Sequence, residues 1–247
     1  MNFNLTVSPD FPPERIAAWY VFNTWLQKKL GIAMSFTPHD SFDSQRQAFA
    51  ADSVDLVYAN PYDAATLVRE KGFIALAKPA GMPDEVVVAV NAESSAQCVD
   101  DLQPGLRIAS ADGPDVLQMG LIILESADIS TKNSSLRTCD SNALVAKDLL
   151  RGEADVGIFL ERAYNGLSGL TRKNLRPLVT SRIDDIEHHL LLGPRLADRH
   201  ADLVKALTGM QADAREKAIL DDLGIDHWEA TEQEDVEFLI DVIDTLI

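Results

Sequence analysis

Apolar residues along this chain switch between two spacings. From Asn2 to Val7, Phe3, Leu5 and Val7 fall on one face, the period of a half-buried strand, and Ser8-Pro9-Asp10 ends the run. The spacing then becomes helical. Pro12 and Pro13 suit a helix entry, Ile16, Trp19, Leu26 and Leu30 share a face, and Gly31 follows as the closing residue. The same alternation predicts a strand over Ala33 to Thr37, a helix over Ser41 to Ala51, a strand over Val54 to Tyr58 and a helix over Tyr62 to Lys71, closed by Gly72. Further on, Arg107 to Ser110 leads into Pro114 to Glu125, and Ser135 to Thr138 into Ser141 to Arg151, closed by Gly152 before Val156 to Phe159. Regular strand-helix alternation predicts an α/β architecture with mainly parallel sheets.

Two extended apolar segments, Glu85 to Val90 and Glu187 to Leu192, bracket a middle block that has its own alternation. They read as strands that carry the chain into a second lobe and back. The expected division is residues 1–86 with 188–247 in lobe one and 87–187 in lobe two, with a ligand cleft between the lobes. Helices are predicted over Ala197 to Met210, Asp213 to Asp222 and Gln233 to Leu246. The last carries Val236, Leu239, Ile240 and Ile243 on one face and is expected to pack on lobe one.

With 247 residues and 46% hydrophobic content, the chain can bury two cores of ordinary domain size. Its 22 Lys and Arg against 39 Asp and Glu give a formal charge of −17, which repels phosphate backbones and anionic membrane surfaces. Nucleic acid is therefore excluded as an expected partner. The longest apolar runs fall well short of the roughly 20 residues that span a bilayer, so no membrane insertion is expected. Cys98 and Cys139 lie in different predicted segments without zinc spacing, and the adjacent His188 and His189 point to opposite faces of a strand. No metal and no cofactor are expected. Gly166-Leu167-Ser168-Gly169 has the wrong spacing for a nucleophile elbow, and neither a P-loop nor Gly-x-Gly-x-x-Gly occurs.

The run Val54-Asp55-Leu56-Val57-Tyr58-Ala59-Asn60-Pro61-Tyr62, with Gly72-Phe73 and the strand Ile74 to Ala77, resembles the phosphate/phosphite/phosphonate-type ABC-transporter solute-binding proteins. Asp101 through Ala109 looks like that family's helix-turn before the first strand of lobe two. Ser141-Asn142-Ala143 through Gly152-Glu153-Ala154-Asp155-Val156-Gly157 looks like its next helix, glycine and strand. The resemblance implies a type II periplasmic-binding-protein fold that clamps a small polar ligand. It further implies an ABC-transporter permease or a sensor as partner, a monomer, and a periplasmic location. Met1 leads almost at once into Phe3 to Val7 without a leader, which reads instead as a cytoplasmic protein or a trimmed mature form.

In open α/β sheets ligands sit beyond the carboxyl ends of strands, where helix N-termini point amides outward. That rule selects the loops Ser8 to Asp10, Tyr58 to Tyr62, Ser110 to Gly113 and Asp140 to Asn142, with Phe159 to Glu161 as a further wall. The candidate ligand contacts are Ser8, Tyr58, Asn60, Tyr62, Ser110, Asp112, Gly113, Asp140, Ser141 and Glu161. For the first tyrosine pair a blander reading stands beside it, with one ring in the core and Asn60-Pro61 merely making the turn. The family usually offers a Ser/Thr cluster at the second-lobe loop and a His at the next strand end. Here Asp112 and Asp140 stand in those loops. Either they cap their own helices, or they face the cleft and select an amine-bearing ligand. Reversible binding of a phosphonate- or phosphate-like solute, or an amine-bearing relative, is the expected function. The alternatives are a cytoplasmic enzyme on the same fold, with Asp112 and Glu161 as an acid/base pair, and a sensing or interaction module.

Overall fold

Strand β1 (Asn2–Val7) pairs in parallel with β2 (Ala33–Phe36) and β3 (Leu56–Ala59), joined by helices α1 (Ile16–Leu30) and α2 (Phe42–Ala50). Helix α3 (Pro61–Lys71) then returns the chain to β4 (Ile74–Pro79). It ends at Gly72, whose φ of 66° is the left-handed geometry that a residue without Cβ adopts most readily. The computed structural model describes residues 2–184 and 186–237. The chain divides into one unit of residues 2–82 with 187–237 and a second of 83–184 with 186.

The second unit opens with β5 (Val86–Asn91). It continues through β6 (Arg107–Ala111), α4 (Pro114–Glu125), β7 (Ser135–Cys139), α5 (Asn142–Arg151) and β8 (Val156–Leu160). Two short helices, α6 (Glu161–Gly166) and α7 (Gly169–Lys173), precede β9 (Leu175–Thr180). The chain then re-enters the first unit through β10 (His189–Leu192), α8 (His200–Thr208), α9 (Ala214–Leu223) and β11 (Trp228–Ala230). The sheet orders are β11-β4-β10-β3-β1-β2 and β7-β6-β8-β5-β9.

The α/β expectation holds, but each sheet is mixed rather than mainly parallel. Strand-helix-strand steps give the parallel pairs β1–β2, β1–β3, β6–β7 and β6–β8. The strands that carry the chain between units run the other way: β10 is antiparallel to β3 and β4, and β5 to β8 and β9. The helix expected over Ala197 to Met210 is interrupted, with 3-10 turns at Pro194–Arg199 and Met210–Ala212 on either side of α8. Of the helix expected over Gln233 to Leu246, residues 233–237 are helical and 238–247 lie outside the described residues.

Strands buried on both faces explain the unbroken apolar runs. In the first unit Leu56, Tyr58, Leu190 and Leu192 face a core of Trp19, Phe22, Leu26 and Trp228, while Val57, Ala59 and Leu191 face Phe49, Leu67 and Phe73. In the second unit Val87, Ala89, Ala109 and Phe159 pack on Val145 and Leu149 of α5. On α4, a Cβ at Gly120 would come within 2.4 Å of Ile158, so this glycine lets the helix lie directly on β8.

Candidate functional site

At the carboxyl ends of β1 and β3 the first unit forms a dense polar loop cluster. Ser8 is fully buried; its N–H donates to the Tyr58 carbonyl at 2.8 Å, and its hydroxyl accepts from Asn60 Nδ2 at 3.3 Å. Asn60, also fully buried, is the N-cap of α3: Oδ1 accepts from the Asp63 N–H at 2.8 Å and Nδ2 donates to Asp63 Oδ2 at 2.8 Å. Tyr58 is buried among rings, with centroids 5.3 Å from Trp19, 6.1 Å from Phe11 and 6.0 Å from Trp228. Tyr58 thus lies in the core and Asn60 caps α3. Tyr62, half-buried on the first turn of α3, keeps an accessible edge.

Sequence reasoning missed two groups here. Arg46 on α2 lies 5.2 Å over the Tyr62 ring and donates from Nε to Asp63 Oδ1 at 2.8 Å. No local motif marks it, because its partner arrives from α3. His188 precedes β10, and antiparallel pairing of His189 with Ala59 brings it to the carboxyl end of β3. Its ring stacks on Tyr58 at 5.2 Å and 29°, and Nε2 stands 3.2 Å from the Asp10 carboxylate.

In the second unit two helix N-termini emerge side by side, since Ala111 at the end of β6 pairs with Cys139 at the end of β7. Helix α4 is capped by Gly113, whose own N–H donates to the Ala111 carbonyl at 2.8 Å, and α5 by Ser141, whose Oγ accepts from the Leu144 N–H at 3.3 Å. Neither Asp112 nor Asp140 is the cap. The capping reading of those two residues is thereby corrected: each stands one position before the cap with its side chain exposed. Ser110 is buried and donates to the Ala111 carbonyl at 3.1 Å. Half-buried Glu161 starts α6, its N–H donating to the Glu85 carbonyl at 2.7 Å. On α5, Asn142 Oδ1 is buried without a hydrogen-bond partner.

Aligned peptide dipoles put roughly +0.5 of a charge at each helix N-terminus, so α4 and α5 favour an anion at this edge. The exposed carboxylates of Asp112 and Asp140 add negative charge one residue ahead of these N-termini. Burial pushes the Cys139 thiol up to about 11, with its hydrogen bond to Asp148 adding to the shift, which disfavours the thiolate at neutral pH. Among the described residues no group of three or more His, Cys, Asp or Glu side chains could hold a metal ion, and no helix is long and apolar enough to cross a membrane.

A model of the family described as "ABC transporter, phosphonate, periplasmic substrate-binding protein" matches residues 5–236. None of the curated proteins matches the chain by sequence. Among solved structures, PhnD1 from Prochlorococcus marinus (MIT 9301) in complex with methylphosphonate is similar at a TM-score of 0.82 and 16% identity, over 99% of this chain and 98% of that one. XAC2383 from Xanthomonas citri bound to chloride ion is similar at 0.82 and 12% identity, over 99% and 98%. A binding protein component of an ABC phosphonate transporter (PA3383) from Pseudomonas aeruginosa is similar at 0.77 and 16% identity, over 99% and 85%. At such identities the likeness shows a shared fold, the α/β, two-lobed fold of periplasmic binding proteins.

Proposed function

We propose that this chain, which belongs to the family of periplasmic substrate-binding proteins of phosphonate ABC transporters, reversibly binds a small phosphonate-class oxyanion without turning it over. The family works as the ligand-binding component of an ABC transporter. The observation that carries the finer reading is the pair of adjacent helix N-termini in the second unit, where α4 and α5 begin beside one another at the ends of β6 and β7. A phosphonyl group fits such a place because first-turn amides donate to its oxygens while the dipoles offset its charge. A structure of the same fold is in complex with methylphosphonate, which supports the class.

The proposed ligand contacts are Gly113, Ser141, Asp112, Asp140 and Glu161 in the second unit, and Tyr62 in the first. Ser8, Tyr58, Asn60 and Ser110 lie beneath as the supports of those loops. Exposure of Asp112 and Asp140 favours an amine-bearing phosphonate over a plain one. The protein acts as a monomer that presents its ligand to a permease.

Thermal unfolding of the purified protein against methylphosphonate, aminoethylphosphonate, phosphate, sulfate and free amino acids tests this. A ligand at about 100 times its dissociation constant adds about 2.7 kcal/mol, which raises the midpoint by about 5 to 11 °C for a chain of this length. Phosphonates are expected to give that shift and to be recovered unchanged. A shift with amino acids or sulfate but no phosphonate, or release of product from a phosphonate, would overturn the reading.

A further inference from the structure

We propose a second binding site within the first unit, a cleft at the amino end of β3 that takes a small monocarboxylate with an apolar body. The cleft has a volume of about 270 Å³ and lies where the ends of α2 and α3 meet the start of β3 and the turn after β10. Phe49, Val54, Phe73 and Pro194 give it apolar walls. The polar loop cluster of this unit stands at the opposite, carboxyl end of β3. The inference therefore does not rest on the phosphonate-binding reading.

Two cations line the same cleft, and each has N–H groups to spare. Arg195 donates from Nε and Nη2 to the two oxygens of Asp55 at 2.6 and 2.5 Å, and among the described residues its Nη1 donates to none. Asp55 is 1% exposed and also accepts from the Asn4 N–H at 2.9 Å, so it stays in place and holds the guanidinium in one plane. Lys71 spends one of its three N–H groups, on Asp52 at 2.8 Å. Asp52 is 78% exposed, and such a pair contributes little, so a carboxylate arriving in the cleft can replace it at Lys71. The floor is fixed as well: the Gly193 N–H donates to the Asp55 carbonyl at 2.7 Å, and a Cβ at Gly193 would come within 3.2 Å of the Phe73 ring.

Lys71 and Arg195 balance Asp52 and Asp55, which admits one carboxylate but leaves no excess charge for a dianion. At about 30 Å³ for each water-sized atom, the cleft has room for about nine non-hydrogen atoms, the size of benzoate or hexanoate. The formal charge of −17 on the whole chain is screened beyond about 8 Å at physiological ionic strength, so the groups lining the cleft decide.

Titration of the full chain with benzoate and hexanoate, followed by amide chemical shifts in NMR, tests the proposal, with benzyl alcohol and benzylamine as neutral and cationic counterparts. The carboxylates are expected to half-saturate at about 1 mM or below, with the largest shifts at the cleft. The alcohol and the amine are expected to bind at least about 10-fold more weakly, the loss of one charge-assisted hydrogen bond. Lys71→Gln is expected to weaken benzoate about 10-fold and leave benzyl alcohol unchanged, whereas Asp52→Asn, which removes the competing carboxylate, tightens benzoate about 3-fold. Arg195→Lys keeps a cation beside Asp55 but loses the spare Nη1, and is expected to weaken benzoate about 10-fold. If Arg195→Lys fails to fold, Lys71→Gln and Asp52→Asn still decide, since both alter an exposed pair. No saturation by either carboxylate below about 10 mM would overturn the proposal, as would equal affinity for benzoate and benzyl alcohol. Affinities that ignore both Lys71→Gln and Asp52→Asn, or shifts that are largest outside the cleft, would overturn it as well.

Discussion

Arg107 and Asp155 show what a single pair of side chains does at the end of the second sheet away from the candidate site. They stand at the starts of β6 and β8, where Arg107 Nε and Nη2 donate to Asp155 at 3.0 and 2.6 Å and the Arg107 N–H adds a bond of 2.9 Å. The guanidinium holds the Asp155 carboxyl below its ordinary value, against the opposite pull of burial. A lowered folded pKa stabilises the fold above the unfolded value of about 3.9 and ceases to do so as pH falls through the folded value. Both side chains are partly exposed, so Asp155→Asn is expected to cost only about 1 kcal/mol at neutral pH. Urea unfolding should show the gap to the wild type closing below about pH 4, and a gap that stays constant to lower pH would contradict it. At the candidate site the same scale decides what the sequence could reveal. The starts of α4 and α5 were legible to within a residue because helix starts have a local grammar, although the caps are Gly113 and Ser141 rather than Asp112 and Asp140. Arg46 and His188 were not, because their partners Asp63 and Asp10 come from other elements and no spacing encodes them.

Where the chain enters and leaves the second unit, one side chain ties residue 85 to residues 181–184. Glu85, nearly buried just ahead of β5, accepts from the Ile183 and Asp184 N–H groups at 2.8 and 2.9 Å, and from the Ser181 hydroxyl. The Ser181 Oγ in turn accepts from the Val86 N–H at 2.8 Å, and Asp84 beside it pairs with Arg162 at 2.6 Å. Glu85→Ala would leave three buried or half-buried donors without an acceptor, and is expected to destabilise the protein by about 3 kcal/mol in urea unfolding, with Glu85→Gln nearer 1. A loss below about 0.5 kcal/mol in the alanine variant would mean that the segments are held together by β5–β9 pairing alone. Elements with strong periodicity were legible in the sequence, and the missed strands have physical reasons. Strand β9 contains Pro177, which an edge strand tolerates opposite the irregularity between Val88 and Ala89, yet which masks the pattern. Strand β11 has three residues and takes its register from β4, so no local period exists to read.

Across the whole molecule the two sheets differ in how their strands are spaced along the chain. Every strand of the five-stranded sheet lies within one continuous stretch, from Val86 to Thr180. The six-stranded sheet instead places β10 between β3 and β4, so its centre is missing until the chain has returned from the second unit. That arrangement could not be read from periodicity, because Leu190, Leu191 and Leu192 show only that the strand is buried on both faces. It has a consequence for folding: closing the long loop costs entropy before β10 pairing repays it, whereas the second sheet needs no partner from outside. A fragment of residues 83–186 is therefore expected to fold alone, with a cooperative urea transition of slope about 1 kcal/mol/M, as suits about 100 residues. Residues 1–82 alone are expected not to fold, since they lack Leu190 and Leu192, which belong to the same core as Trp19 and Phe22, and would expose the facing edges of β3 and β4. Circular dichroism and urea titration of both fragments decide the matter. A cooperative transition in 1–82 would mean that β10 adds to a sheet already formed, and a non-cooperative one in 83–186 would mean that the second core is completed only in the intact chain.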